Sequence, residues 1–71
     1  MDFKLLNDTA VAHTVSMSPS WVRGQRHKRR NNLPHVLDID PVMIGSSPRY
    51  RIEDVEAFVE RLTAFNENGR A

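Results

Sequence analysis

The chain has no cysteine among its 71 residues. Disulfide bridges are therefore excluded, and so is a zinc site built from thiolates. No apolar run approaches the roughly 20 residues that a helix needs to cross a bilayer, and no signal peptide opens the chain. Without disulfides or a thiolate zinc site, a fold of this size must be stabilised by a compact core or by a partner. We expect one small cytoplasmic domain.

Acidic residues are also missing from a long part of the chain. The net charge is only +1, yet there is no Asp or Glu between Thr9 and Leu37, where five Lys or Arg and all three His lie. From Glu53 onward the balance reverses, with acids outnumbering Arg61 and Arg70. This distribution predicts one face that meets a polyanion and a second face that is acidic.

The basic segment begins with a helix-start signal. Ser18 can accept a hydrogen bond from a free backbone N–H, and Pro19 suits the first helical position. A helix over residues 18–26 would turn three polar or cationic side chains outward, namely Ser20, Arg23 and Arg26. Arginines in such positions suit the phosphates and base edges of a DNA major groove. The alternative is a solvated charged surface beside a loop.

A first helix is predicted over residues 8–15, because Asn7 is a good N-cap and Val11 and Val15 share one face. Met17 is expected in the following turn, buried between the helices. In the second helix Val22 should point inward and Trp21 at least partly inward. Residues 29–32 are predicted to form a loop.

A β-hairpin is predicted from two short β-compatible runs, residues 42–44 and 49–52, joined by residues 45–48. Leu5 and Leu6 read as a further short extended segment. Alternation predicts that Val42, Ile44, Tyr50 and Ile52 face the core, while Arg49 and Arg51 face outward.

The last element has an apolar stripe at helical spacing, formed by Val55, Phe58, Val59, Leu62 and Phe65. We interpret this stripe as core. The organisation is then a flexible start (residues 1–4), one domain (residues 5–65) and a flexible tail (residues 66–71). The expected fold class is α+β, with two short helices, a hairpin and a C-terminal helix.

This ordered set resembles the small MerR-like winged-helix family of phage excisionases and AlpA-type regulators. The resemblance covers residues 5–62. Its motifs are Leu5-Leu6-Asn7, Val11-Ala12, Ser18 with Val22, Leu33-Pro34, Arg49-Tyr50-Arg51 and Asp54-Val55-Glu56-Ala57-Phe58.

The resemblance implies a winged helix-turn-helix that binds double-stranded DNA with its second helix in the major groove and its hairpin wing beside it. The implied recognition-helix residues are Ser18, Ser20, Arg23, Gln25 and Arg26. Residues implied to follow the backbone are Lys28, Arg29 and Arg30. The implied wing residues are Ser46, Ser47, Arg49 and Arg51.

Enzyme chemistry is not indicated. His13, His27 and His35 lack metal-ligand spacing, and no paired carboxylates mark a pocket. Asp38 and Asp40 could bind a cation, but two carboxylates on a loop are more often solvated. We therefore expect no catalytic residue, metal, cofactor, small-molecule substrate or membrane partner.

Three functions remain open. The leading hypothesis is an excisionase, or recombination directionality factor, which binds and bends DNA to promote excision by an integrase; the stand-alone size of the chain motivates it. The second is an AlpA-like transcriptional regulator with the same DNA contacts. The third is a protein-interaction adaptor that uses the acidic last helix. Partners under the first hypothesis are DNA, a phage integrase and neighbouring copies of the chain.

Overall fold

The computed structural model describes residues 4–69, and side chains up to residue 64. Residues 1–3 of the predicted flexible start and residues 70–71 of the predicted tail lie outside the described part. The elements are β1 (Leu5–Leu6), α1 (Asp8–Thr14), α2 (Pro19–Arg30), β2 (Val42–Ile44), β3 (Ser47–Arg51) and α3 (Ile52–Gly69). The fold is therefore α+β, with an antiparallel three-stranded sheet in the order β1-β3-β2. Among residues 4–69, no helix is long and apolar enough to cross a membrane.

Helix α1 begins as predicted. The Asn7 side chain accepts a hydrogen bond from the backbone N–H of Ala10 at 2.8 Å, which satisfies one of the free donors of the first turn. The turn after α1 differs from the prediction, because Met17 is 45% exposed. Its backbone N–H donates to the carbonyl of Ala12 at 2.8 Å, and Ser16 has a positive φ of 59°. This tight helix end turns the Met17 side chain outward.

Helix α2 is longer than predicted and ends at Arg30. The expected loop at residues 29–30 is wrong, and the chain leaves the helix only at Asn31. Asn32 adopts a left-handed φ of 57°, and the N–H of Leu33 donates to the carbonyl of Lys28 at 2.8 Å. This is a helix-ending motif in which asparagine takes the place usually filled by glycine. The residue whose conformation ends α2 is therefore Asn32.

The hairpin turn contains only Gly45 and Ser46, since β3 begins at Ser47 and includes Pro48. The resulting register pairs Val42 with Arg49 and Ile44 with Ser47.

The pairing of β2 with β3 corrects the predicted faces of the hairpin. Residues paired across two strands lie on the same face, so Val42 and Ile44 share the outer face with Arg49. Val42 is 43% exposed and Ile44 is 55% exposed. Tyr50 is buried as predicted, and Ile52, the first residue of α3, packs against the core.

Strand β1 completes the sheet by pairing with β3, with Leu6 opposite Tyr50. Helix α3 follows β3 directly and buries Val55 and Phe58, as its stripe predicts. Leu62, by contrast, is 38% exposed. The side chain of Phe65 lies outside the described residues.

One hydrophobic core joins all three helices, the sheet and the irregular segment at residues 33–41. Its buried apolar members are Leu6, Val11, Ala12, Val22, Leu37, Ile39, Tyr50, Val55 and Phe58. Leu37 and Ile39 were not predicted to be core, since they lie outside any helix or strand. By anchoring this segment, they hold it against the rest of the fold.

Candidate nucleic-acid interface

The first turn of α2 brings two predicted contact residues together. The Ser18 hydroxyl accepts a hydrogen bond from the backbone N–H of Trp21 at 3.1 Å and lies 3.1 Å from the hydroxyl of Ser20. Pro19 occupies the first helical position. Ser18 therefore caps the helix, and both hydroxyls remain exposed at its start.

An exposed face runs along α2 from its first turn to its last. We refer to it as the α2 face; its members are Ser20, Arg23, His27, Lys28 and Arg30, all exposed. Ser20, Arg23, His27 and Arg30 recur at intervals of three or four residues, which places them along one side of a helix. Among the described side chains, no acid forms an ion pair with Arg23, Lys28 or Arg30. The α2 face is therefore cationic, with its charges open to solvent.

Gly24 lies within the α2 face. Apart from its two chain neighbours and the backbone of its own helix, a Cβ placed on Gly24 would have no atom within 4 Å. The helix backbone is therefore accessible at this point, one turn after Ser20 and one turn before Lys28.

The structure corrects the prediction for Gln25. This side chain is only 6% exposed, and its amide oxygen accepts hydrogen bonds from the backbone N–H groups of Val36 at 2.6 Å and Leu37 at 3.1 Å. The amide therefore anchors the irregular segment to α2. It has no access to a base edge while the protein is folded.

The structure also corrects the prediction for Arg26. Its guanidinium forms a two-pronged ion pair with Asp8, at 2.7 and 3.0 Å, and lies 3.4 Å from the Tyr50 hydroxyl. The side chains of Arg26 and Asp8 are only 15% and 16% exposed. The hydrogen bond to Asp8 raises the pKa of Arg26 above its ordinary value. Arg26 thus joins α2 to α1 and β3 inside the protein.

Arg29 is paired as well, but near the surface. Its guanidinium donates to both carboxylate oxygens of Asp40, at 2.7 and 3.2 Å, and lies 3.2 Å from Nε2 of His35. Its hydrogen bond to Asp40 holds the pKa of that carboxyl below its ordinary value. Asp40 is 78% exposed, against 32% for Arg29. The pair is therefore open to solvent.

The predicted wing residues lie in the hairpin turn and along β3. Ser46 and Ser47 are exposed at its tip. The half-buried Arg49 donates to the carbonyl of Pro48 at 2.8 Å. Arg51 forms a loose surface contact with Glu53 at 3.7 Å.

Sequence reasoning missed His27 as a member of the α2 face. Its spacing of four residues from Arg23 was the available signal, but His27 was weighed only as a metal ligand. Asn31 donates from its side chain to the carbonyl of His27 at 2.8 Å. Within residues 4–64, no group of three His, Cys, Asp or Glu side chains is placed to hold a metal ion.

No protein-family model matches the chain, and no curated protein or solved structure gives a match. The resemblance to the MerR-like winged-helix family therefore stays a prediction.

Proposed function

We propose that the chain is a double-stranded DNA-binding protein that places α2 in the major groove and the β2–β3 hairpin against the neighbouring backbone or minor groove. The observation that carries this proposal is the α2 face. It is cationic along its length and has no acidic partner among the described side chains for Arg23, Lys28 or Arg30.

The dimensions of α2 fit a major groove. Its 12 residues give a helix about 18 Å long, and the groove of B-DNA is about 12 Å wide and admits an α-helix. Arg23 and His27 lie on the middle of the exposed side, where base edges would be. Because Gly24 adds no side chain beside His27, the helix backbone can approach the bases closely there. Lys28 and Arg30 flank this strip and suit phosphates.

The remaining charges agree with this orientation. The acids Glu53, Glu56 and Glu60 are exposed on α3, an element separate from the α2 face. A polyanion would therefore meet α2 in preference to α3. This separation supports DNA over the adaptor hypothesis, in which the basic helix is incidental.

Within DNA binding, we propose an excisionase-like role in which the protein bends DNA and assists an integrase. The support is the family resemblance, together with a hairpin that follows α2 and carries Arg49 and Arg51. An AlpA-like transcriptional regulator would use the same contacts. An excision assay with the cognate integrase separates the two, because a regulator would bind DNA without changing the yield of excision.

The first test is fluorescence anisotropy on a random 30-base-pair duplex across a salt series. We expect dissociation constants of about 10⁻⁴–10⁻⁶ M, weakening with salt at a log–log slope of about −0.9 for each phosphate neutralised. Arg23→Ala should weaken binding, and on a selected site it should cost about 1–3 kcal/mol and relax specificity.

Arg61→Ala is the matched control for charge. It also removes one exposed arginine, but from α3, where Arg61 pairs with Asp38 at 2.9 Å. Wild-type-like binding by this variant is expected. Equal losses for both variants would contradict the role of α2, and no binding at low salt would leave the adaptor hypothesis in the lead.

A further inference from the structure

A cleft of about 310 Å³ lies between the C-terminal half of α2 and the end of the irregular segment, where this segment leads into β2. Arg26, Arg29 and Arg30 line its helix side, and Asp40, Pro41 and Met43 line the other. Three arginines thus line a space whose opposite side carries one carboxylate, that of Asp40.

The position of the cleft follows the path of a DNA strand. If α2 lies in the major groove and the hairpin reaches the adjoining minor groove, the sugar–phosphate backbone separating these grooves must pass between the two elements. The cleft adjoins α2 and reaches the hairpin at Met43. Its arginines are the residue type that binds phosphate through parallel N–H···O bonds.

The three arginines differ in how firmly each is held. Arg26 is tied to Asp8, and both side chains are largely buried. Arg30 has no ion pair among the described residues.

Arg29 is held only by the exposed Asp40 and by a contact with His35. A carboxylate and a phosphate present the same pair of acceptor oxygens to a guanidinium, and an exposed ion pair is weak. Arg29 can therefore exchange one partner for the other.

We propose that this cleft is a subsite for one phosphodiester group of DNA, bound by Arg29 and Arg30, and that Asp40 occupies Arg29 until the phosphate displaces it. The inference rests on the proposed DNA binding. Its consequence is that Asp40 weakens binding to every DNA sequence alike, since it competes with the backbone and not with a base.

The test compares Asp40→Asn with Asp38→Asn in the anisotropy assay on the random duplex. Both changes raise the net charge by one in the same segment, but Asp38 pairs with Arg61. We expect Asp40→Asn to bind up to about five-fold more tightly than wild type. Asp38→Asn should stay within about two-fold, because it acts only through screened long-range charge.

A double variant assigns the effect to Arg29. In an Arg29→Ala background, Asp40→Asn should increase DNA affinity no more than Asp38→Asn does. Asp40→Glu keeps the charge and should bind as wild type does. The proposal that Arg29 exchanges Asp40 for a phosphate would be overturned by either of two results. One is an equal gain in DNA affinity from Asp40→Asn and Asp38→Asn, and the other is a gain from Asp40→Asn that persists without Arg29.

A measurement on the wild-type chain tests the subsite without depending on whether the variants fold. The NMR signal of the Arg29 Nε–H group, assigned with Arg29→Ala, should move when duplex is added, while that of Arg26 stays in place. An unmoved Arg29 signal in the DNA-bound protein would reject the subsite alone. A wild-type chain that binds no DNA at low salt would reject the proposed function, and the subsite with it.

Discussion

Replacing Gln25 by methionine removes the acceptor of two backbone N–H groups while keeping a side chain of similar length. The N–H of Leu37 is buried, and leaving such a donor unsatisfied costs about 1–3 kcal/mol. The N–H of Val36 is only part-buried, so water can replace the amide and the loss is about 0.5–1.5 kcal/mol. We expect Gln25→Met to lower the free energy of unfolding by about 1.5–4.5 kcal/mol.

The loss should be large for a domain of this size. Native proteins are stable by about 0.05–0.15 kcal/mol per residue, and 1 kcal/mol shifts Tm by about 4–8 °C for 60–100 residues. Urea unfolding followed by far-UV circular dichroism and by the fluorescence of Trp21, the single tryptophan of the chain, measures the change. Agreement of the two signals would support two-state unfolding.

Arg23→Met is the matched control, because it makes the same kind of change on the exposed side of α2. Its free energy of unfolding should stay within about 0.5 kcal/mol of wild type, while its DNA binding weakens. Gln25→Met should bind DNA as wild type does under conditions where it remains folded. The reasoning is refuted if Gln25→Met leaves stability unchanged and instead loses preference for adenine, as a base-reading glutamine would.

Three further changes test other parts of the fold. Gly24→Ala should raise the free energy of unfolding by about 0.5–1 kcal/mol in a thermal melt, because the new Cβ meets open space in a helix; a lower Tm would contradict this. Arg26→Met should cost about 1–3 kcal/mol by leaving the Asp8 carboxylate unpaired, and adding Asp8→Leu should recover part of that loss in urea unfolding. Ile44→Thr should change stability by less than about 0.5 kcal/mol, whereas Leu37→Ala should cost about 2–5 kcal/mol; equal costs would place Ile44 in the core.

Much of the fold could be predicted from short-range features of the sequence. Asn7 and Ser18 mark helix starts because each can bond its own first turn, which requires no distant partner. The stripe that includes Val55 and Phe58 predicts the buried side of α3 for the same reason, since its spacing is set by the helix alone. Turn length was harder to predict. The Gly45-Ser46 turn is two residues shorter than expected. The face error has another cause: Ile44 pairs with Ser47, so Val42 and Ile44 share a face with Arg49 and not with Tyr50.

The amino-acid sequence by itself determined that α2 is basic, that Ser18 caps its start and that the acids lie elsewhere. Only the tertiary structure decided which cations of α2 are open to solvent. Arg26 meets Asp8, Arg29 meets Asp40, and Gln25 meets the backbone of residues 36–37. These partners lie 11–18 residues away along the chain. Helical spacing fixes the side of α2 from which a side chain emerges, but it does not show what packs there.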